Sequence, residues 1–267
     1  MPQRYPFIGL LVYLIFVVIS FITNLLGPLV PDIIQGFDLS LAMAGFLPFS
    51  FFVAYGVMSI PAGILLERFR EKPVIVGAFC LAFLGSTLFA STPTYAIALM
   101  SLFMIGIGMT MLQVAINPLL RAAGGEEHFA FNSVLGQLVF GSASFLSPFV
   151  YSWLVTGLAQ EGDTGNFVLN TLAPLVPDHL PWVSLYWVFA LVTLLMVAFL
   201  LTVKLPRFEL ADDERVGAWS TIRELLKRPA VIAYFFGIFC YVGAEQGIAN
   251  WMSQFLATYH GFDPQVE

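Results

Sequence analysis

Apolar residues run almost without interruption from Phe7 to Val30, and comparable runs recur at 42–66, 74–91, 95–120, 131–155, 182–203 and 229–256. A helix rising 1.5 Å per residue needs about 20 residues to cross the hydrocarbon core of a bilayer. Each run therefore predicts a transmembrane helix, giving an all-α fold of seven spans. The first run is too long for the apolar core of a signal peptide, and no A-x-A-like cleavage site follows directly after it. Only Ser91-Thr92-Pro93-Thr94 separates the third span from the fourth, which predicts a tight antiparallel pair.

The polar positions between the runs are not distributed at random. Arg4, then Arg68, Arg70 and Lys72, then Arg121, then Lys204, Arg207, Arg215, Arg223, Lys227 and Arg228 account for all 11 basic residues. With seven spans they all fall on one side, and the other side holds Asp32, Asp38, Glu161, Asp163 and Asp178. Basic loops stay in the cytoplasm, so the expected topology has the N-terminus cytoplasmic and the chain in a cell (inner or plasma) membrane.

Composition agrees: 59% of residues are hydrophobic and 10% charged, against about 25% charged in a soluble domain. The mean hydropathy is +0.87, and the surplus apolar surface needs the lipid bilayer as its partner. No basic cluster interleaved with aromatics points to nucleic acid. Cys80 and Cys240 lie apart in apolar runs, so neither a disulfide framework nor a metal site is expected. G-x-S-x-G, H-E-x-x-H and Walker-type patterns are missing, which argues against an enzyme and against a bound cofactor.

Three segments are expected: a six-helix transmembrane half over 1–203, a charged cytoplasmic loop over 204–228, and a seventh helix within 229–267. In the loop, Trp219, Ile222, Leu225 and Leu226 share one helical face, with basic residues opposite. That fits either a helix lying in the membrane interface or an ordinary charged linker. Gly36-Phe37-Asp38 after the first span is echoed by Gly261-Phe262-Asp263 after the seventh. If a second half repeats the first, as in many transporters, further C-terminal helices are missing from this chain.

Polar side chains within the spans are the candidates for chemistry. Glu245 is the only ionisable one deep in a predicted span, and such residues usually face a cavity or a partner. It is the candidate for handling a coupling ion; the alternative is a protonated carboxyl tying two helices together. Gln246, Asn250 and Gln254 follow on one face of the seventh span. Gln113 and Asn117 share a face of the fourth, just before Pro118, and Asn24 and Gln137 lie in the first and fifth. Amides offer both donors and acceptors, as a sugar or polyol requires. Asn24, Gln113, Asn117, Gln137 and Asn250 are thus candidate substrate ligands in a wet central cavity; interhelical hydrogen bonding is the alternative for each.

The segment Gly63-Ile-Leu65-Leu-Glu67-Arg68-Phe-Arg70-Glu-Lys72 resembles the G-x-L-x-D-R-x-G-R-K signature of the major facilitator superfamily, with Arg70 at the usual glycine position. Ile60-Pro61-Ala62-Gly63, the Gln113-x-x-x-Asn117-Pro118 stretch and Tyr241-Val-Gly-Ala-Glu245 resemble its fucose–galactose symporter family. The resemblance implies the first seven of twelve helices, with Gly63, Glu67, Arg68 and Lys72 as a cytoplasmic gating motif. It also implies symport of a sugar such as fucose, galactose or glucose, coupled to protons or sodium. Gly27 and Gln113 stand where proton-coupled fucose permeases carry carboxylates, and Gln113 is more like the hexose branch. Other readings are a drug or metabolite exporter on the same fold, or a non-transporting membrane sensor or remnant.

Overall fold

The computed structural model describes residues 6–159, 165–203 and 223–261. The helices are α1 (Pro6–Asn24), α2 (Leu26–Phe37), α3 (Leu41–Phe69), α4 (Glu71–Ser91) and α5 (Tyr95–Gly124). They continue with α6 (Glu126–Ala159), α7 (Phe167–Leu172), α8 (Ser184–Thr202) and α9 (Pro229–His260). Short 3-10 turns at Ala173–Leu175 and Pro181–Val183 complete the connection between α7 and α8. No strand occurs among the described residues.

Among the described residues seven helical segments are long and apolar enough to cross a membrane, in the seven places the hydropathy runs predict. Their ends overrun those runs. The first extends to Phe37 instead of Val30, the fifth begins at Glu126 instead of 131, and the seventh continues to His260 instead of 256. Hydropathy marks only the part of a helix that sits in hydrocarbon. The backbone keeps its hydrogen-bonded ladder through the polar interface, where Asp32, Gln35, Glu127 and His128 are tolerated.

The first span is broken. α1 ends at Asn24 and α2 starts at Leu26. Pro28 and Pro31 remove the N–H groups that would bond the carbonyls of Asn24 and Gly27. The span stops at Asp38 in the left-handed conformation (φ 51°), and Ser40 then caps α3 by accepting from the Met43 N–H at 3.3 Å.

α5 forms the centre of a six-helix unit, packed against α3, α4 and α1, with α4 on α8 and α1 on α6. Lipid tails are as apolar as leucine, so close fit and hydrogen bonds must hold these helices together. A Cβ at Gly106 would lie 2.5 Å from the Phe51 carbonyl oxygen, and one at Gly108 would lie 2.6 Å from that of Ala78. The two glycines let α5 touch the backbones of α3 and α4. Leu10, Phe46, Leu84, Met100 and Leu195 are left exposed, as lipid-facing positions should be.

α9 stands apart from this unit and rests on α2. Asn250 is its one buried residue, and from Pro229 to Glu245 every residue except the half-buried Val231 is exposed among the described residues. α9 ends at Gly261 (φ 67°), whereas Gly36 lies inside α2 and the first span turns at Asp38. The two Gly-Phe-Asp triplets therefore do not occupy equivalent structural positions at their glycines; Phe262 and Asp263 lie outside the described residues. So do residues 204–222, which include Trp219 and Ile222 of the apolar face read in the charged loop; Leu225 and Leu226 of that face are described and exposed, just before α9.

Candidate functional site

Three of the amides expected from sequence come together. Gln113 and Asn117 sit one turn apart on α5, Gln137 faces them from α6, and all three line a cavity of about 170 Å³. Phe16 and Ile19 of α1, Ile116 of α5 and Phe140 of α6 complete the wall. Pro118, just beyond Asn117, lacks the N–H that would bond the Val114 carbonyl. No lining residue carries a charge, so the cavity offers three amides, each with donors and acceptors, beside two aromatic rings. Such a lining matches a neutral hydroxylated molecule with an apolar C–H face.

The other amides go elsewhere. Asn24 does not line this cavity: its Nδ2 donates to the Ser20 carbonyl at 3.0 Å and to Ser20 Oγ at 3.3 Å. Ser20 Oγ–H in turn donates to the Phe140 carbonyl at 2.6 Å, tying the first span to the fifth. Asn250 is buried against α2, and its Nδ2 donates to the Gln246 carbonyl at 2.8 Å. Gln254 donates to Thr258 Oγ1 at 3.0 Å. A shared helical face does not separate these residues from the cavity amides. The difference is that the donors of Asn24 and Asn250 are engaged within their own helices.

Glu245 also departs from expectation. It is exposed rather than buried, because the described residues cover α9 mainly where it meets α2. Asp32 shows the reverse. Hydropathy puts it in a loop beyond the first span, but α2 carries it within the helix, where it is buried. The polar Gln35 and Asp38 beyond it end the hydropathy signal too early. Phe16 and Phe140 are not recognisable as site residues beforehand, since nothing in the sequence separates them from the other phenylalanines among 27.

Where α9 meets α2, the backbones nearly touch. A Cβ at Gly27 would lie 2.6 Å from the Ala249 carbonyl oxygen and 3.3 Å from the Asn250 Cα. No side chain fits there at this separation, so a carboxylate at position 27 is incompatible with the contact.

Gly63, Glu67 and Arg68 lie towards the C-terminal end of α3 and Lys72 in the first turn of α4, with Arg70 alone between the two helices. Arg70 adopts φ 68° and ψ 178°, a conformation that favours glycine. An arginine thus stands, at the signature's glycine position, in a backbone conformation that a glycine would adopt more readily. Lys72 Nζ donates to the Val203 carbonyl at 2.6 Å and to the Leu201 carbonyl at 3.4 Å. These carbonyls end α8, so Lys72 neutralises its C-terminal dipole and clips the third span to the sixth. Arg68 lies over the Phe69 ring at 5.3 Å. Among the described residues no three His, Cys, Asp or Glu side chains gather as a metal site would need.

A family model described as Major Facilitator Superfamily matches residues 12–266. The chain belongs to the major facilitator superfamily. A glucose/galactose transporter of Brucella abortus biovar 1 (strain 9-941) is 30% identical over 99% of this chain and 60% of that protein. An L-fucose-proton symporter of Escherichia coli (strain K12) is 28% identical over 87% of this chain and 55% of that protein. The superfamily member described here thus spans about 60% of the length of the sugar transporters it matches. The crystal structure of a single-residue variant of the E. coli fucose:proton symporter superimposes with a TM-score of 0.68 at 23% identity, covering 95% of this chain and 63% of that one. An inward-facing bacterial homologue of the human lysosomal transporter Spinster does so at 0.78 and 17% identity, covering 97% and 57%. At these identities the likeness establishes the fold: a multi-pass membrane protein with the first helices of a major-facilitator bundle.

Proposed function

We propose that this protein is, or forms part of, a secondary transporter that carries a neutral sugar such as glucose, galactose or fucose by ion-coupled symport. The observation that carries the reading is the meeting of Gln113, Asn117 and Gln137 in one uncharged cavity walled by Phe16 and Phe140. Three amides serve hydroxyl groups as both donors and acceptors, and an aromatic face accepts the C–H side of a pyranose. A cavity for cationic drugs would be expected to carry a carboxylate, and this one does not. The similar sugar transporters support the same substrate class.

In this reading α1 to α8 form one half of the transporter and α9 begins the second. The N-terminus is cytoplasmic in the cell (inner) membrane, an orientation supported by the one-sided distribution of basic residues. Glu245, the carboxylate on the exposed half of α9, is the candidate for proton or sodium coupling. The test is calorimetry of the purified chain with D-glucose, D-galactose and L-fucose. Gln113→Ala and Asn117→Ala should each weaken binding by about 0.5–1.5 kcal/mol, the value of one hydrogen bond. Unchanged affinity in both variants would remove the amides from the site.

A further inference from the structure

The first and fifth spans run parallel and interlock at three successive levels. Tyr13 Oη–H donates to Asn132 Oδ1 at 3.3 Å, the Phe16 ring lies on Gly136, and Ser20 Oγ–H donates to the Phe140 carbonyl at 2.6 Å. Positions 13, 16 and 20 share one helical face, as do 132, 136 and 140. The outer two levels are hydrogen bonds and set the register of the helices. The middle level is different in kind. A Cβ at Gly136 would lie 2.8 Å from Phe16 Cε2 and 3.2 Å from Cζ. The ring therefore rests on bare backbone.

We infer that Gly136, which does not itself line the amide cavity, is a positioning residue that sets the cavity's width through Phe16. The ring is 5% exposed and belongs to the packed core, and the amide cavity is the open space beside it. Interiors are close-packed, so a ring pushed off span five moves into that space. The Tyr13 and Ser20 bonds above and below prevent the helices from simply spreading apart. A cavity of about 170 Å³ has little volume to give up. Replacing Gly136 thus narrows the site, and shortening Phe16 reopens it. The consequence for solute selection rests on the sugar-site reading; the change of shape does not.

The experiment reads the shape without a ligand. In the full chain with Cys80→Ser and Cys240→Ser, Asn117→Cys reports alkylation by N-ethylmaleimide from the cavity. Gly136→Ala should slow that reaction about tenfold, in keeping with the cost of overpacking. Adding Phe16→Leu should restore it to nearly the starting rate. No slowing, or a slowing that Phe16→Leu leaves in place, overturns the inference, because a general distortion of the bundle would not be relieved at one ring. Should Gly136→Ala fail to insert, Phe16→Leu alone must accelerate alkylation; an unchanged rate would sink the idea equally. In chains that keep Asn117, D-galactose binding should follow the same order. If the unmodified chain binds no sugar while the alkylation pattern holds, the sugar reading fails and the role of Gly136 stands.

Discussion

Gly27→Ala adds one methyl group where the first and seventh spans meet. The added Cβ would start 2.6 Å from the Ala249 carbonyl oxygen and 3.3 Å from the Asn250 Cα, both backbone atoms that cannot rotate away. α9 must retreat by most of an ångström. Within α2 the same change is favourable, because alanine in a helix is better than glycine by about 0.5–1 kcal/mol. The contact works the other way: forcing an extra methyl into a closed interface costs about 1–3 kcal/mol. The two effects fall on different parts of the molecule. The six-helix unit should keep its thermal stability, while α9, resting mainly on α2, should undock. A cost of 1–3 kcal/mol corresponds to a shift of roughly 5- to 150-fold in the docked-to-undocked ratio. Spin labels at Leu41 and Tyr259, both exposed near the far ends of their helices, would measure this by double electron–electron resonance. The expected result is one narrow distance distribution for the unmodified protein and a second, broader population for Gly27→Ala. An unchanged narrow distribution would refute the close-contact account of how the seventh span is held.

Further outcomes follow from the turn and the loops. Arg70→Gly should raise the thermal midpoint in detergent by relieving a backbone strain of about 1–3 kcal/mol, partly offset by the greater freedom of glycine when unfolded; a lower midpoint would contradict the strain. Lys72→Met should cost about 1 kcal/mol by leaving the Val203 carbonyl without its cationic donor, and Lys72→Arg should recover most of it in the same melting assay. Phe167, exposed on α7, should react as Phe167→Cys with a membrane-impermeant maleimide in intact cells. Labelling only after the cytoplasmic side is opened would reverse the assigned orientation.

Several features of this protein are local properties of its sequence. Transfer of a side chain into hydrocarbon depends mainly on that side chain and its neighbours, so the seven spans were legible from hydropathy alone. The superfamily signature around Arg68 was legible for a similar reason, being a contiguous stretch that ends α3, turns at Arg70 and starts α4. The span limits were less accurate because hydrogen bonding continues a helix past the hydrocarbon edge, which is how Asp32 came to lie inside α2.

Which polar residue meets which is not a local property. Asn24, Gln113, Asn117, Gln137 and Asn250 look alike in sequence, each an amide in an apolar helix. Only packing separates them. Three face a common space, while Asn24 bonds back to Ser20 and Asn250 is pressed against α2. The aromatic wall is the same case: Phe16 becomes a site residue because Gly136, distant in sequence, leaves room for its ring. Composition and periodicity determined that these helices enter a membrane and roughly which faces are polar. The distances at which backbones approach, through Gly27, Gly106, Gly108 and Gly136, were decided by tertiary structure, because a contact between two helices is a property of both surfaces at once.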